Sequence, residues 1–507
     1  MRFSFKSKSL IIFILFATIC GCYSFIGRYG ESFYEGKDHH YFERLIDGSL
    51  KPENLGSDFT FRLAPDQDLR VIDEDQDYLN TCSNSDLILR FAWLSDVQIR
   101  QKEVKLFNDK VSLNLDTIIP SFEHDAVQED FDWAVYLSII AAINQYHRKN
   151  TAIDFMIHTG DAIDAGTIEE LYHFIFITNK LLVPWLNLVG NHDVAIFGNY
   201  QERLGYTRQA AVNFYPVGNQ TNFITMHGKE RLISGFGSHL LPVASQGGHS
   251  PSEDGIGKVP KTQYHGFDMQ VNQSSGPASA KKFDPDEAAG YYAFDIDKTP
   301  VPIRVIALNS ARLDSWGADG MIKDAQREWL RQMIRTSNGR LLLIFAHHRP
   351  QEFDPKTMSV LNDPGRGPMV FFTGHTHKHH IQLHTAANGQ AFYELNTGSI
   401  LEYPQIGRLI EIRGEPGGNM CLISRAFWNN YLNLKKKISA GELETYLKSC
   451  KENRLEHQNH LNKAVRCGNY GAYNDYLNNK KKAWGAPQPL EQALSATNVV
   501  IPLTLNE

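Results

Sequence analysis

The chain lacks the features that would point to a membrane span, a nucleic-acid binder, a repeat array or a zinc finger. The apolar run from Leu10 to Ile19 is too short to span a bilayer comfortably. Lysine and arginine (51) do not outnumber aspartate and glutamate (57), and a net charge of -6 gives no reason to expect nucleic acid as a partner. No internal repeat is visible, which removes solenoids and propellers. There are six cysteines in 507 residues, none with zinc-site spacing. What is present is ordinary for a globular protein: 42% hydrophobic and 21% charged residues. The length suffices for one large domain with an appendage, or for two domains.

The N-terminus stands apart. Arg2, Lys6 and Lys8 precede the apolar run, and Cys20-Gly21-Cys22 follows it. This is the layout of a secretory signal over 1–22. Ile19-Cys20-Gly21-Cys22 also resembles the lipobox of bacterial lipoproteins, which implies cleavage before Cys22, acylation of its thiol and a place in the bacterial cell envelope. Residues 23–85 read as a tether and lead-in segment. Export permits disulfides among Cys82, Cys421, Cys450 and Cys467. Four cysteines allow three pairings, and Cys450 with Cys467, nearest in sequence, is favoured.

From 86 the text changes. Leu87 to Leu94 is a buried strand by composition and closes on Ser95-Asp96-Val97-Gln98. Val127, Phe131, Val135, Ile139 and Ile143 recur every four residues, an amphipathic helix. Asp154 to Ile157 is a second strand and ends on His158-Thr159-Gly160-Asp161-Ala162-Ile163-Asp164. A helix over about Ile168 to Leu182 leads to a third strand, Trp185 to Val189, closing on Gly190-Asn191-His192-Asp193. Strand and helix in alternation predict an α/β protein with a parallel-type sheet and its working residues at the C-terminal strand ends.

Residues 237–290 are rich in Gly, Ser, Pro and Lys, and read either as a disordered insertion or as a lid over the site. His239, His249 and His265 in this stretch are taken as solvent-facing. Strands return at Tyr291 to Asp295, Val301 to Asn309 and Leu341 to Ala346, with a helix from Lys323 to Ile334. The last of these strands closes on His347-His348-Arg349-Pro350. Pro368 to Phe372 then stops at Gly374 and delivers His375 and His377. Two imidazoles at that spacing reach one cavity only through a turn past the strand end, and metal ions are the usual reason to put them there. Short alternating runs at Ile381 to Leu383, Phe392 to Leu395, Leu409 to Ile412 and Met420 to Ile423 are expected to form a second sheet. Residues 428–507 read as a helical appendage without visible chemistry.

Set in order, Asp96-x-Gln98, Gly160-Asp161-x-x-Asp164, Gly190-Asn191-His192-Asp193, His347-His348 and Gly374-His375-x-His377 resemble the motifs of the calcineurin-like metallophosphoesterases. Gly290-Tyr291-Tyr292-Ala293-Phe294 and Asn396-Thr397-Gly398-Ser399 look like exported bacterial members of that superfamily. The resemblance covers roughly Leu87 to Ile412. It implies a four-layer α-β-β-α sandwich with two mixed sheets over 86–427. It also implies two divalent ions (Mn2+, Fe2+/Fe3+ or Zn2+, with manganese favoured) that activate a hydroxide against a phosphate ester. Asp161 would bridge the ions. Asp96, Gln98 and His377 would complete the first site, and Asn191, His347 and His375 the second. His192 would be the general acid, oriented by Asp164. His347 aligns better than His348 with the lone histidine of the pattern, and His348 is then left to a supporting hydrogen bond. Arg349 is read as a surface salt bridge before it is read as a phosphate contact; Arg100 has the same standing, and Asp193 is read as fixing its loop rather than touching substrate. His158 is read as a core histidine and Lys378-His379-His380 as a solvated strand start.

Gln98 departs from the pattern, where histidine is usual. An amide oxygen suits a harder, more manganese-like ion. Glutamine there also occurs in relatives resembling ADP-ribose and CDP-alcohol pyrophosphatases, so pyrophosphate hydrolysis stands beside phosphomonoester or phosphodiester hydrolysis of a small-molecule or lipid-linked substrate. The non-enzymatic alternative is a membrane-tethered metal-binding module without turnover. A 5′-nucleotidase is disfavoured because no second large α/β region follows Ile412.

Overall fold

A computed structural model of the chain describes residues 61–72, 78–100, 103–106, 111–114, 130–149, 153–164, parts of 170–194, 267–270, 291–296, 301–312, 318–414, 420–429, 438–458, 460–478 and 488–503. The expected leader with Cys22, about half of the helix expected over Ile168 to Leu182, and His239, His249 and His265 lie outside the described residues. In chain order the strands are β1 (Phe61–Leu63), β2 (Arg70–Val71), β3 (Asp86–Leu94), β4 (Glu103–Leu106), β5 (Val111–Asn114), β6 (Phe155–His158) and β7 (Trp185–Asn187). They continue as β8 (Phe267–Gln270), β9 (Tyr292–Ile296), β10 (Ile303–Ala307), β11 (Leu341–Phe345) and β12 (Met369–Thr373). The last are β13 (His380–Thr385), β14 (Ala391–Asn396), β15 (Gly407–Gly414), β16 (Met420–Asn429) and β17 (Val499–Leu503).

Two mixed sheets account for all but the β4–β5 hairpin. The first runs β2-β17-β16-β15-β3-β6-β7, with β1 on β16; the second runs β13-β14-β12-β11-β10-β9-β8. In the first, β3, β6 and β7 are parallel while β15 is antiparallel to β3. In the second, β10, β11, β12 and β14 are parallel.

Side-chain alternation shows how the layers stack. Leu341, Leu343 and Phe345 of β11, with Val370 and Phe372 of β12, join the core shared with the first sheet. Leu342 and Ile344, with Phe371, turn the other way against Leu330 and Ile334 of the helix Asp324–Arg335. The two sheets meet through aromatic rings. Phe372 lies 5.8 Å from Phe91, 5.1 Å from Trp93 and 4.5 Å from Phe345, centroid to centroid. Truncating such a buried ring costs about 3–5 kcal/mol. The other face of the first sheet is covered by the helix Asp132–Lys149, on which the helix Leu461–Asn478 packs. This is the expected four-layer α/β sandwich.

The boundaries of the expectation need correcting. The four runs after the Gly374 turn do not form a sheet of their own. β13 and β14 extend the sheet of β12, whereas β15 and β16 stand beside β3 in the other sheet. The tail is not simply an appended helical piece: after its helices, β17 enters the first sheet between β16 and β2. The lead-in segment contributes β1, β2 and the helix Tyr78–Asn84, tied by Cys82–Cys421 to β16. Cys450 pairs with Cys467 as favoured. Inside the stretch read as an irregular insertion, β8 pairs with β9. Two causes recur: strands as short as β1, β2, β8 and β17 have too few residues for their periodicity to be seen, and the partners of longer strands such as β15 and β16 lie far along the chain, where no local pattern names them. Among the described residues no helix is long and apolar enough to cross a membrane.

Candidate metal centre

The C-terminal ends of β3, β6 and β7 in one sheet and of β11 and β12 in the other deliver the candidate residues to a common centre. Past the strand ends, backbone hydrogen bonds hold the loops in step. Asp96 N–H donates to Gly160 O at 3.0 Å, Gln98 N–H to Asp161 O at 2.8 Å, and Gly374 N–H to His347 O at 2.9 Å. Of seven non-glycine residues at positive φ among the described residues, five are candidate ligands: Asp96, Gln98, Asp161, His375 and His377. Left-handed backbone at such residues costs on the order of 1–3 kcal/mol each and persists only where the surroundings impose it. Here it turns successive side chains off the strand alternation and into one cavity.

The side chains close the geometry. His347 Nε2 lies 3.3 Å from Asp161 Oδ2, 4.0 Å from Asp96 Oδ1 and 3.0 Å from Asn191 Oδ1. His377 Nε2 lies 3.3 Å from Asp96 Oδ1. Gln98 Nε2 donates to Asp161 Oδ2 at 3.3 Å; an amide turned by half a rotation would present its oxygen there instead. His375 donates its backbone N–H to Asp96 Oδ2 at 3.1 Å. Two trios at this centre offer ligand atoms within 4.8 Å of one another: Asp96, Asp161 and His377, and His347, His348 and His375. All seven sequence-predicted ligands are therefore gathered around one centre, and His348 joins them.

The set fits divalent cations. Asp96 Oδ1 is buried and receives no hydrogen bond. His347 Nδ1 is 2.9 Å from the carbonyl of Thr159, which can only accept. The ring proton is thereby held on Nδ1, and in the neutral ring the Nε2 lone pair faces the space shared with the carboxylates, where a cation would accept it. Glu402 does the same for His377, at 2.8 Å from Nδ1. The protons that answer the buried carboxylates sit on His347 and His377, whereas burial and His347 hold His375 down at about 4. Burial would push His347 down, but Asp161 and Asp96 lift it to about 9. Burial likewise opposes the rise of His377, which Glu402 and Asp96 carry well above the ordinary value. Asp161 is lowered well below its ordinary value: burial acts upward, and His347 and His192 outweigh it.

His192 borders the centre. Its backbone N–H donates to Asp161 Oδ1 at 2.8 Å, and its Nδ1 is 3.0 Å from Asp164 Oδ1. Burial lowers the imidazole, yet Asp161 and Asp164 raise it to about 10, so it holds its proton at neutral pH. Gly190, just before Asn191, allows the approach of the two loops: a Cβ there would fall on the carboxylate and backbone nitrogen of Asp161. Asp193 fixes its loop as expected, accepting from Gly190, Asp161 and Ile163 N–H at 2.8, 3.0 and 3.1 Å. His158 is a buried core histidine, 2.6 Å from Asn187. The Asn396–Ser399 run braces the site, with Asn396 Nδ2 donating to Gly374 O and Ser399 Oγ to Asp96 O.

Two readings change. Lys378-His379-His380 is not a solvated start: His379 is buried, and His380, with His384 and Arg349, surrounds the buried carboxylate of Glu394. Arg349 therefore serves an interior ion pair rather than a surface one. Sequence reasoning also missed Thr159, Glu402 and Ser310 as partners of the ring nitrogens, because none sits at a fixed spacing from the histidine it holds.

Residues 89–255 match the family model of the calcineurin-like phosphoesterases. That span thus matches a metallophosphoesterase domain, the model of a class of phosphoric ester hydrolases that work with divalent metals. The matched span holds Asp96 through His192; His347, His375 and His377 lie beyond it and are brought in by the fold. No curated protein matches the chain. Among solved structures it is similar to a Staphylococcus aureus protein described as a 5′-nucleotidase, solved with α-ketoglutarate (10% identity, TM-score 0.33, covering 74% of this chain and 58% of that one). It is also similar to a Candida albicans 5′-nucleotidase (12% identity, TM-score 0.30, covering 73% and 58%). The chain spans little more than half the length of either, and overlaps this low carry no argument about substrate.

Proposed function

We propose that the chain is a dinuclear phosphoesterase that hydrolyses a phosphomonoester or phosphodiester, with His192 as general acid. The observation that carries this reading is the 3.3 Å approach of His347 to Asp161 and of His377 to Asp96, with His192 bonded to the same Asp161. Asp96, Gln98, Asp161 and His377 would hold one cation, and Asp161, Asn191, His347 and His375 the other. Such a pair supplies charge neutralisation of the phosphoryl oxygens and a nucleophile at neutral pH. The chain's own residues do the rest. Asp164 accepts from His192 Nδ1, which places the transferable proton on Nε2. Its delivery to the leaving oxygen is worth about 10²–10⁴-fold.

Gln98 favours a second reading, hydrolysis of a nucleotide-linked pyrophosphate. A panel of p-nitrophenyl phosphate, its bis ester and ADP-ribose, assayed with added Mn2+, separates the three. No turnover of any, with metal bound, would leave only the membrane-tethered binding module. The two disulfides support export. Acylation of Cys22 belongs to the same proposal; labelling with a palmitate analogue, lost in Cys22→Ala, tests it.

A further inference from the structure

We propose that His348 is a third imidazole ligand of the second cation, beside His347 and His375, and that this site selects zinc or ferrous iron over manganese. The assignment rests on the dinuclear reading above and deepens it.

Three observations carry it. The ligand atoms of the three histidines lie within 4.8 Å of one another, and the His348 ring is 4.8 Å from that of His347 and 4.5 Å from that of His375. His348 is fully buried and its Nε2 makes no hydrogen bond. An idle buried ring nitrogen has given up its hydration for nothing, a deficit that a cation at this position removes. The far side of the ring is anchored. Ser310 Oγ is 2.9 Å from His348 Nδ1 and accepts the backbone N–H of His348 at 3.1 Å. A ring proton shared with Ser310 leaves the Nε2 lone pair for a ligand, the usual role of such an outer partner.

Position and shape agree. β11 ends at Phe345, so His347 and His348 lie past the strand, where neighbours need not face opposite ways. Gly320 lies against the Cβ and ring of His348, and a side chain there would displace it. The Ala318 backbone also approaches the ring and is a competing acceptor for its proton. With three imidazoles the second site is softer than the first, whose donors are mainly oxygens. Imidazole suits zinc and iron, whereas carboxylate and amide oxygens suit manganese. The manganese preference drawn from Gln98 is thereby confined to the first site.

The test uses the full chain, stripped of metal and titrated with Zn2+ against a chromophoric chelator. X-ray absorption is recorded at one equivalent of zinc. The expected result is three imidazoles in the zinc shell. His348→Ala should weaken this site by about 100-fold or more, and Ser310→Ala by about tenfold. Two imidazoles in the wild-type shell, or wild-type zinc affinity in His348→Ala while His347→Ala and His375→Ala lose it, would overturn the assignment. Where His348→Ala fails to fold, Ser310→Ala and the wild-type spectrum decide. A wild-type chain that takes up no zinc overturns the dinuclear reading itself, and this assignment with it.

Discussion

The Nδ1 of His192 stands 3.0 Å from Asp164 Oδ1, and the Nε of Arg100 lies 3.6 Å from the other oxygen of the same carboxylate. All three groups are largely shielded from water, so the carboxylate fixes the imidazole while the guanidinium fixes the carboxylate. Arg100 is tied in turn, its backbone N–H donating to Asp132 Oδ2 at 2.6 Å. The result is a proton donor whose ring cannot drift from the edge of the metal centre.

His192→Ala is expected to lower kcat by about 10²–10⁴-fold on an alkyl phosphate, whose leaving oxygen needs a proton. The loss should shrink sharply on p-nitrophenyl esters, whose leaving group does not. Metal content, read by plasma mass spectrometry, should stay at the wild-type value. Equal losses on both substrates would remove the general-acid role.

Arg100→Gln should act through Asp164 and not on substrate. Its effect is expected in kcat, about 10–100-fold on the alkyl ester, with KM unchanged, since it misplaces a reacting group without removing a binding contact. A rise in KM at constant kcat would instead make Arg100 a phosphate contact.

The sequence showed this centre better than it showed the scaffold, and the reason is physical. Asp96, Asp161, Asn191 and the Gly374 turn each close an apolar run, because metal ligands must leave the strand where its alternation ends. That junction is visible locally. Whether β15 stands beside β3, or whether β17 returns to β16 from some seventy residues away, depends on pairings that no local pattern records. The same holds for Glu402 and Ser310, which touch their histidines only once β14 has paired with β12 and β10 with β11. The pattern allots one histidine to this strand end, which leaves His348 a supporting role. The burial of its unbonded nitrogen is a property of the folded chain alone.

Gly190→Ala tests the close approach on which the second site depends. The added Cβ would overlap the carboxylate and amide of Asp161, so either the Asn191 loop or the bridging aspartate must give way. Overpacking of this kind costs about 1–3 kcal/mol, which a domain of this size survives. Far-UV circular dichroism should therefore be unchanged while metal uptake falls below two equivalents and turnover drops to background. Full metal uptake with wild-type kcat would show that the loop has slack to spare.

Glu394 sets the acid limit of the fold. It is fully buried and takes hydrogen bonds or ion pairs from Arg349 at 2.8 Å, His384 at 2.8 Å, His380 at 3.3 Å and the Thr373 hydroxyl at 3.0 Å. Burial would push its carboxyl up, but these partners hold it far below the ordinary value of 4.5. A carboxyl depressed in the folded state contributes stability in full above the unfolded value. That contribution is lost as pH falls, because the unfolded chain takes up the proton first. Glu394→Gln should cost about 1–3 kcal/mol at neutral pH, leaving the half-buried Arg349 guanidinium without its counter-charge. The gap between wild type and variant should then narrow steadily as pH drops below about 4.5. Denaturant melts across that range measure it. Parallel curves for the two proteins would mean that Glu394 is protonated in the native state, and that Arg349 draws its charge balance from elsewhere.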